Sequence, residues 1–170
     1  MDTTLAGASM GSARRERFFE RHAWKVFLAL SVIVALFGLG DLFSGGSTYQ
    51  SGEVVLFTSI TGTTWDELRA GSPRIANMID QQVRSGGAGL LVVGLLSGAI
   101  CFNALRRGAR WAWLTMWVWP AWAALAVVGL VTADRSAGSG IPVPVMSGSV
   151  VFAISIVTLG LSYRKYLGRT

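Results

Sequence analysis

The chain has 170 residues, of which 52% are apolar and 14% are charged, and it carries a net charge of +6 with a pI near 10.4. Soluble domains average about 25% charged residues, so this composition favours a chain largely buried in lipid. A single cysteine and a single histidine exclude an intrachain disulfide, a cysteine-based metal site and a haem held by two histidines of one chain.

The chain begins with a basic N-terminal segment, residues 1–23, followed by a first predicted span, residues 24–43. Phe18, Phe19 and Trp24 accompany the basic residues, as aromatic side chains do at a membrane interface. The apolar run is long enough to cross a bilayer core of about 30 Å. A cleaved signal peptide is the alternative interpretation, and we favour a retained helix because the charged region before the run is long.

Residues 44–84 form the only sizeable segment outside the predicted spans. Its apolar run Val54–Ile60 is too short to span and is expected to be an extended or interfacial piece. Thr64 and Glu67 have the spacing of a capping box, which predicts the start of a short helix. Ser72 and Pro73 then predict a second helix, because Ser is a favoured N-cap and Pro is tolerated at the first helical position. We expect the second helix to run into the next span, so that the segment forms a small helical lid on the extracytoplasmic side.

A basic turn at residues 106–110 separates the second span, residues 85–105, from the third, residues 111–132. Three arginines between two apolar runs are typical of a cytoplasmic hairpin, because Lys and Arg concentrate in cytoplasmic loops. Gly94 and Gly98 have the spacing that lets membrane helices approach closely. We favour packing within the chain over dimerisation as the role of these two glycines.

The third span is rich in tryptophan. Trp117, Trp119 and Trp122 lie deep in the predicted bilayer, where an indole N–H needs a hydrogen-bond partner. Pro120 predicts a kink, because it leaves the carbonyl one turn earlier, at Met116, without its usual donor. A tightly packed, kinked helix is the favoured interpretation, and an aromatic wall for an apolar ligand or lipid is the alternative.

An outer loop, residues 133–142, a fourth span, residues 143–163, and a tail, residues 164–170, complete the chain. Eleven of the fifteen basic residues fall on segments assigned to the cytoplasm, which places both termini there. These are Arg14, Arg15, Arg17, Arg21, Lys25, Arg106, Arg107, Arg110, Arg164, Lys165 and Arg169. The sequence thus predicts an all-α membrane protein, a four-transmembrane-helix bundle of the cytoplasmic membrane.

A family resemblance rests on motifs between Thr61 and Trp122. They are Gly62-Thr63-Thr64-Trp65, Leu68, Pro73, Arg84-x-x-Gly87, Arg107-Gly108-x-Arg110-Trp111-Ala112-Trp113 and Pro120. On these motifs the chain resembles small bacterial four-span integral membrane proteins of unassigned function, and it is loosely similar to DoxX-like proteins in size and span number. The resemblance covers about a third of the chain. Its motifs are structural, so it implies no activity and no catalytic or cofactor residue.

The candidate site lies at the outer side of the predicted bundle. Asp41 ends the first span and Arg84 begins the second, so the two are expected at one level, where the planar guanidinium suits a carboxylate. An ion pair of Asp41 with Arg84 or Arg74 would pin the lid, whereas the slightly favoured interpretation leaves Asp41 as a helix-end acid in contact with water. The candidate ligand or lid contacts are Asp41, Trp65, Arg84, Trp117, Trp119 and Trp122.

Three functional hypotheses follow from these residues. A non-enzymatic accessory or interaction protein is favoured, because no catalytic constellation is found and few polar residues lie within the spans. A binder or carrier of a small apolar molecule or lipid, held between the third span and the lid, is the alternative. A membrane enzyme would need outer carboxylates with Arg84 for acid–base chemistry, yet no spacing selects a pair. We expect no cofactor, no metal and no nucleic acid; membrane lipid is the expected partner, with another membrane protein or a second copy as further candidates.

Overall fold

The computed structural model describes residues 3–51, 54–132 and 143–168, and in this part of the chain every regular element is helical. The helices are α1 (Thr3–Ser44), α2 (Thr48–Ser51), α3 (Val54–Thr61), α4 (Trp65–Gly71), α5 (Pro73–Ile100), α6 (Arg110–Thr115), α7 (Val118–Thr132) and α8 (Val143–Leu167). A 3₁₀ turn at Gly45–Ser47 joins α1 to α2, and a π-helical turn at Cys101–Leu105 extends α5. The predicted outer loop, residues 133–142, lies outside the described residues.

Four helical stretches are long and apolar enough to cross a membrane, which fits a multi-pass membrane protein. They are His22–Ser51, Pro73–Leu105, Arg110–Gly129 and Gly148–Leu167. The first two have 30 and 33 residues, more than the roughly 20 that a bilayer core requires. The predicted all-α class with four candidate spans is therefore confirmed.

The helix α1 is the central element of the bundle. It packs along α5 and against α8, while α7 packs mainly against α8. The largest hydrophobic core joins α1, the π-helical turn, α6, the start of α7 and the last turns of α8. We call this end of the molecule, with Lys25, the Arg106–Arg110 turn and Lys165, the basic end. The opposite end, which carries α2, α3 and α4, is called the distal end.

Glycine allows α1 and α5 to touch through their backbones. A Cβ atom at Gly94 would lie 2.7 Å from the Ala35 backbone nitrogen, and one at Gly87 would lie 2.6 Å from that of Leu42. A Cβ at Gly98 would face α1 at ordinary contact distance. Small residues at such a contact let membrane helices gain van der Waals energy over a long surface. The predicted role of Gly94 and Gly98 in packing within the chain is confirmed.

The predicted kink in the third span is a full break, with α6 ending at Thr115 and α7 starting at Val118. Pro120 has no N–H to offer the Met116 carbonyl. That carbonyl instead accepts a hydrogen bond from the Trp119 N–H at 3.1 Å. The break therefore tightens one turn locally and leaves the backbone acceptor satisfied.

The segment Val54–Ile60 is helical and belongs to α3, so the expectation of an extended piece is wrong, while that of an interfacial piece stays a prediction. Phe57 is buried in a small distal cluster with Trp65 and Ala76. Thr61 also donates its hydroxyl hydrogen bond back to the Phe57 carbonyl at 2.8 Å. This packing outweighs the β-branched character of the segment, because tertiary contacts override intrinsic preference.

The capping box expected at the start of α4 is present. The Glu67 N–H donates to the Thr64 hydroxyl oxygen at 3.3 Å, and the Thr64 N–H donates to the Glu67 carboxylate at 2.8 Å. The backbone bond from Thr64, followed by a side-chain bond from Thr63, lowers the pKa of Glu67. The chain then breaks at Ser72, and α5 begins at Pro73 and continues without interruption into the second span.

Candidate functional site

The distal junction between α1 and α5 is built around the end of a helix. The last carbonyls of any helix lack intrahelical donors. Here α1 ends at Ser44, and Gly45 follows with φ +55, a left-handed conformation that glycine adopts without strain. The chain turns away at this residue and leaves the Leu42 and Phe43 carbonyls facing α5.

Arg84 and Asp80 on α5 complete this junction. The Arg84 Nη1 atom donates to the Leu42 and Phe43 carbonyls, at 3.0 Å each, and Nε donates to Asp80 Oδ2 at 2.8 Å. The other Asp80 oxygen, Oδ1, accepts the Gly46 N–H at 2.8 Å. A cation at a helix C-terminus also complements the helix dipole. We call these five residues the distal clamp, because they fasten the end of α1 to α5.

The predicted ion pair between Asp41 and Arg84 is wrong. Arg84 pairs with Asp80 on its own helix, four residues earlier, and donates from Nη1 to the carbonyls of α1. Asp41 instead lines a groove together with Thr48. Asp80 lies four residues before Arg84 on the same helix, so its carboxylate can reach the guanidinium without any tertiary contact. The four-residue spacing of Asp80 and Arg84 is the sequence signal that favours the observed pair.

Asp41 lies in an open groove of about 540 Å³ at the distal end of α1. One part of the groove is apolar and the other carries Asp41 and four hydroxyl residues. The lining residues are Ile33, Leu36, Phe37, Gly40, Asp41, Ser44, Ser47, Thr48 and Ser51. A volume in the usual range for ligand sites, with one apolar and one polar end, suits an amphiphilic molecule.

Trp65 is a packing residue of the distal end. It is buried, and its ring forms an edge-on contact with Phe57, with centroids 5.7 Å apart. A Cβ at Gly46 would run into the same ring, so Gly46 is required for the close approach of the indole. Trp65 thus holds α4 against the 3₁₀ turn that contributes Gly46 to the distal clamp.

The three deep tryptophans of the third span do not share one environment. Trp119 is buried, whereas Trp117 and Trp122 are 44% and 42% exposed. Trp119 contacts the edge of Trp122, and Trp117 contacts Trp113. Among the described residues, the Trp119 indole N–H and the Ser155 hydroxyl are buried without a hydrogen-bond partner. None of these three tryptophans lines the groove that contains Asp41, so the structure does not bring the two halves of the candidate site together.

Other buried polar groups hold helices together. The Trp113 indole N–H donates to the Ser162 hydroxyl at 3.1 Å, and the Tyr166 hydroxyl donates to the Leu105 carbonyl at 3.0 Å. Ser31 donates back to the Phe27 carbonyl of its own helix at 2.7 Å. The first two bonds connect α6 and the π-helical turn to α8, and all three satisfy polar atoms that lipid could not.

The described residues define an all-helical protein with four candidate membrane spans, a distal clamp and a distal groove. They contain no cluster of three or more His, Cys, Asp or Glu side chains that could hold a metal ion. No protein-family model matches the chain, and no curated protein and no solved structure matches it either.

Proposed function

We propose that this chain is a non-enzymatic accessory or interaction protein of the bacterial cytoplasmic membrane, with both termini in the cytoplasm. The resemblance to small bacterial four-span membrane proteins, DoxX-like ones included, stays a prediction and is consistent with this proposal. The main support for the proposed role is the way in which several buried polar groups are used. Trp113, Ser162, Tyr166 and Ser31 bond to neighbouring helices or to their own backbone, and this use of polar groups in packing supports a structural role.

The helix α5 offers the surface for such an interaction. Its main contact with another spanning helix is with α1, through the glycine face. The remaining circumference carries exposed large apolar side chains, including Leu95 and Leu96 at 61% each. A helix at the edge of a bundle can pack against a partner helix without any rearrangement of the core.

In-cell photo-cross-linking tests the interaction role. A photoreactive residue at Leu95 on α5 should give a discrete adduct of higher mass, because 61% of this side chain is exposed, at the edge of the contact between α1 and α5. The same residue at the fully buried Leu105 should give none and is the control. If Leu95 and other exposed positions of α5 yield only lipid adducts, the chain does not act through a protein contact on this helix.

The proposed orientation predicts a cysteine-labelling pattern. In a Cys101→Ala background, Gly71→Cys at the distal end should react with a membrane-impermeant maleimide in intact cells, because this position is exposed and has open space around it. Arg107→Cys in the basic turn should react only after the cells are lysed, since that turn is placed in the cytoplasm. Labelling of position 107 in intact cells would reverse the proposed orientation.

The distal groove supports a second candidate function, the binding of a membrane amphiphile or lipid. Its apolar part, near Leu36 and Phe37, lies deeper along α1 than its polar part, near Asp41 and Thr48. An acyl chain with a hydroxyl or amine head matches this order. The site differs from the predicted one beside Trp117 and Trp122, because the groove is formed by α1 and α2.

Filling the groove should abolish binding of a fluorescent long-chain amine. Gly40 lines the groove, and no atom lies within 4 Å of a Cβ placed there, so the side chain of Gly40→Trp starts in open space beside the groove. Gly89→Trp, at an equally open position away from the groove, is the matched control and should bind the amine normally. Asp41→Asn should weaken the binding of the long-chain amine more than the binding of the corresponding long-chain alcohol. Equal binding by the Gly40 and Gly89 variants would rule out the groove as the site.

A further inference from the structure

A second cavity lies at the basic end, between the turn after α5 and the last turns of α8. It has a volume of about 280 Å³ and is lined by Arg106, Arg107, Gly108, Arg110, Lys165 and Tyr166. Four of these six residues are cations, and none is an acid. The cations come from the turn, from the start of α6 and from α8, so their convergence is a product of the tertiary fold and not of a single helix face.

Aromatic rings hold two of the cations in place. The Arg106 guanidinium lies 5.4 Å from the ring centroid of Trp24 and 5.4 Å from that of Phe102. The Lys165 ammonium lies 5.0 Å from the ring centroid of Tyr166. Cation–π contacts of this length are attractive and reduce the freedom of long side chains. These two charges are therefore positioned before any ligand arrives.

The backbone beneath the cavity is also fixed. Gly108 has φ +82, and the N–H groups of Gly108 and Ala109 donate to the Leu105 and Ala104 carbonyls at 3.0 and 3.1 Å. This is a Schellman motif, which closes a helix with a defined turn. The Tyr166 hydroxyl donates to the same Leu105 carbonyl group at 3.0 Å and ties α8 to the turn.

We propose that this cavity binds a phosphate group. Four converging positive charges repel one another, and an anion between them removes that repulsion. Guanidinium groups match phosphate oxygens through paired N–H donors, and an ammonium group adds a point charge. The volume lies just below the usual range for ligand pockets, which suits a headgroup-sized anion.

The position of the cavity brings membrane lipids within reach. It lies at the ends of candidate spans, beside Trp24 and next to Trp111, which is 56% exposed. Tryptophans of this kind mark the headgroup level of a bilayer, and basic pockets between spanning helices bind anionic headgroups there. The phosphate can thus belong to an anionic phospholipid that enters sideways or to a free phosphate from water.

Native mass spectrometry of the full chain released from nanodiscs tests the site. The nanodiscs contain phosphatidylcholine and phosphatidylglycerol, and the ratio of the two lipids retained on the protein is measured. The test variant is Arg107→Gln with Arg110→Gln, both exposed residues of the cavity. The control is Lys25→Gln with Arg164→Gln, which removes the same charge at the same end without touching the cavity lining. Thermal unfolding of both variants checks that they fold.

The wild type and the control should prefer phosphatidylglycerol, and the test variant should lose this preference by roughly tenfold, about the worth of one charge-assisted hydrogen bond. Added inorganic phosphate at constant ionic strength distinguishes the sources. If it displaces phosphatidylglycerol, the cavity takes free phosphate; if the lipid stays bound, the cavity needs a lipid headgroup. If the test and control variants lose the preference for phosphatidylglycerol equally, or if the test variant keeps it, the proposed phosphate site is overturned.

Discussion

Gly87→Ala and Gly94→Ala should each destabilise the protein strongly, whereas Gly86→Ala and Gly89→Ala on the same helix should not. A Cβ at Gly87 would lie 2.7 Å from the Gly38 carbonyl oxygen, and one at Gly94 would lie 2.8 Å from that of Ser31. These are backbone atoms, so α1 and α5 must separate to make room. Overpacking of this kind costs about 1–3 kcal/mol or more.

The two control positions isolate the packing effect from helix propensity. No atom lies within 4 Å of a Cβ placed at Gly86 or Gly89. Alanine at these positions should therefore change stability only through helix propensity, which favours alanine over glycine by about 1 kcal/mol in soluble helices. The measurement is thermal unfolding in detergent, together with the fraction of protein that elutes as a single species. If Gly87→Ala and Gly86→Ala unfold at the same temperature, the backbone contact is not the main link between α1 and α5.

Arg84→Gln should loosen the distal end of the molecule by about 1–2 kcal/mol. The substitution removes the donor to the Leu42 and Phe43 carbonyls and leaves the Asp80 carboxylate with only the Gly46 N–H. Hydrogen bonds to charged groups contribute about 1.5–3 kcal/mol, and exposed ion pairs at most about 1. The Arg84 and Asp80 side chains are 43% and 34% exposed, which places the effect between these limits.

A double-mutant cycle distinguishes the distal clamp, in which Arg84 pairs with Asp80, from the pair of Arg84 with Asp41. Asp80→Asn with Arg84→Gln should cost less than the sum of the two single losses, because the two side chains share one contact. The losses from Asp41→Asn and Arg84→Gln should be additive, since Arg84 forms its ion pair with Asp80 and not with Asp41. Thermal stability and limited proteolysis between α2 and α4 are the measurements. Additive losses for Asp80 with Arg84 would mean that the distal clamp does not act as a unit.

Local signals of the sequence predicted several elements correctly. The capping box at Thr64 and Glu67 acts within four residues, so its effect does not depend on the rest of the fold. The start of α5 at Pro73 and the disruption near Pro120 follow from the missing N–H and fixed φ of proline. The four candidate spans were visible because lipid demands long apolar stretches.

Contacts between distant segments could not be predicted in the same way. The Asp80–Arg84 pair has a local four-residue spacing, but the hydrogen bonds from Arg84 to the Leu42 and Phe43 carbonyls depend on where the end of α1 meets α5. The convergence of Arg107, Arg110 and Lys165 on one cavity requires the register between the basic turn and α8. Such registers are set by packing between helices, which no local spacing encodes.

The sequence by itself determined that this chain is helical, apolar and divided into four candidate spans, because hydropathy and helix caps are local properties. Only the tertiary structure decided which residues meet. It buried Trp119 and left Trp117 and Trp122 half-exposed, and it brought Gly87 onto the backbone of α1. The physical reason is that lipid accepts any apolar face of a helix, so hydropathy does not specify which helix packs against which. Close approach of two backbones at small residues does specify the neighbouring helix.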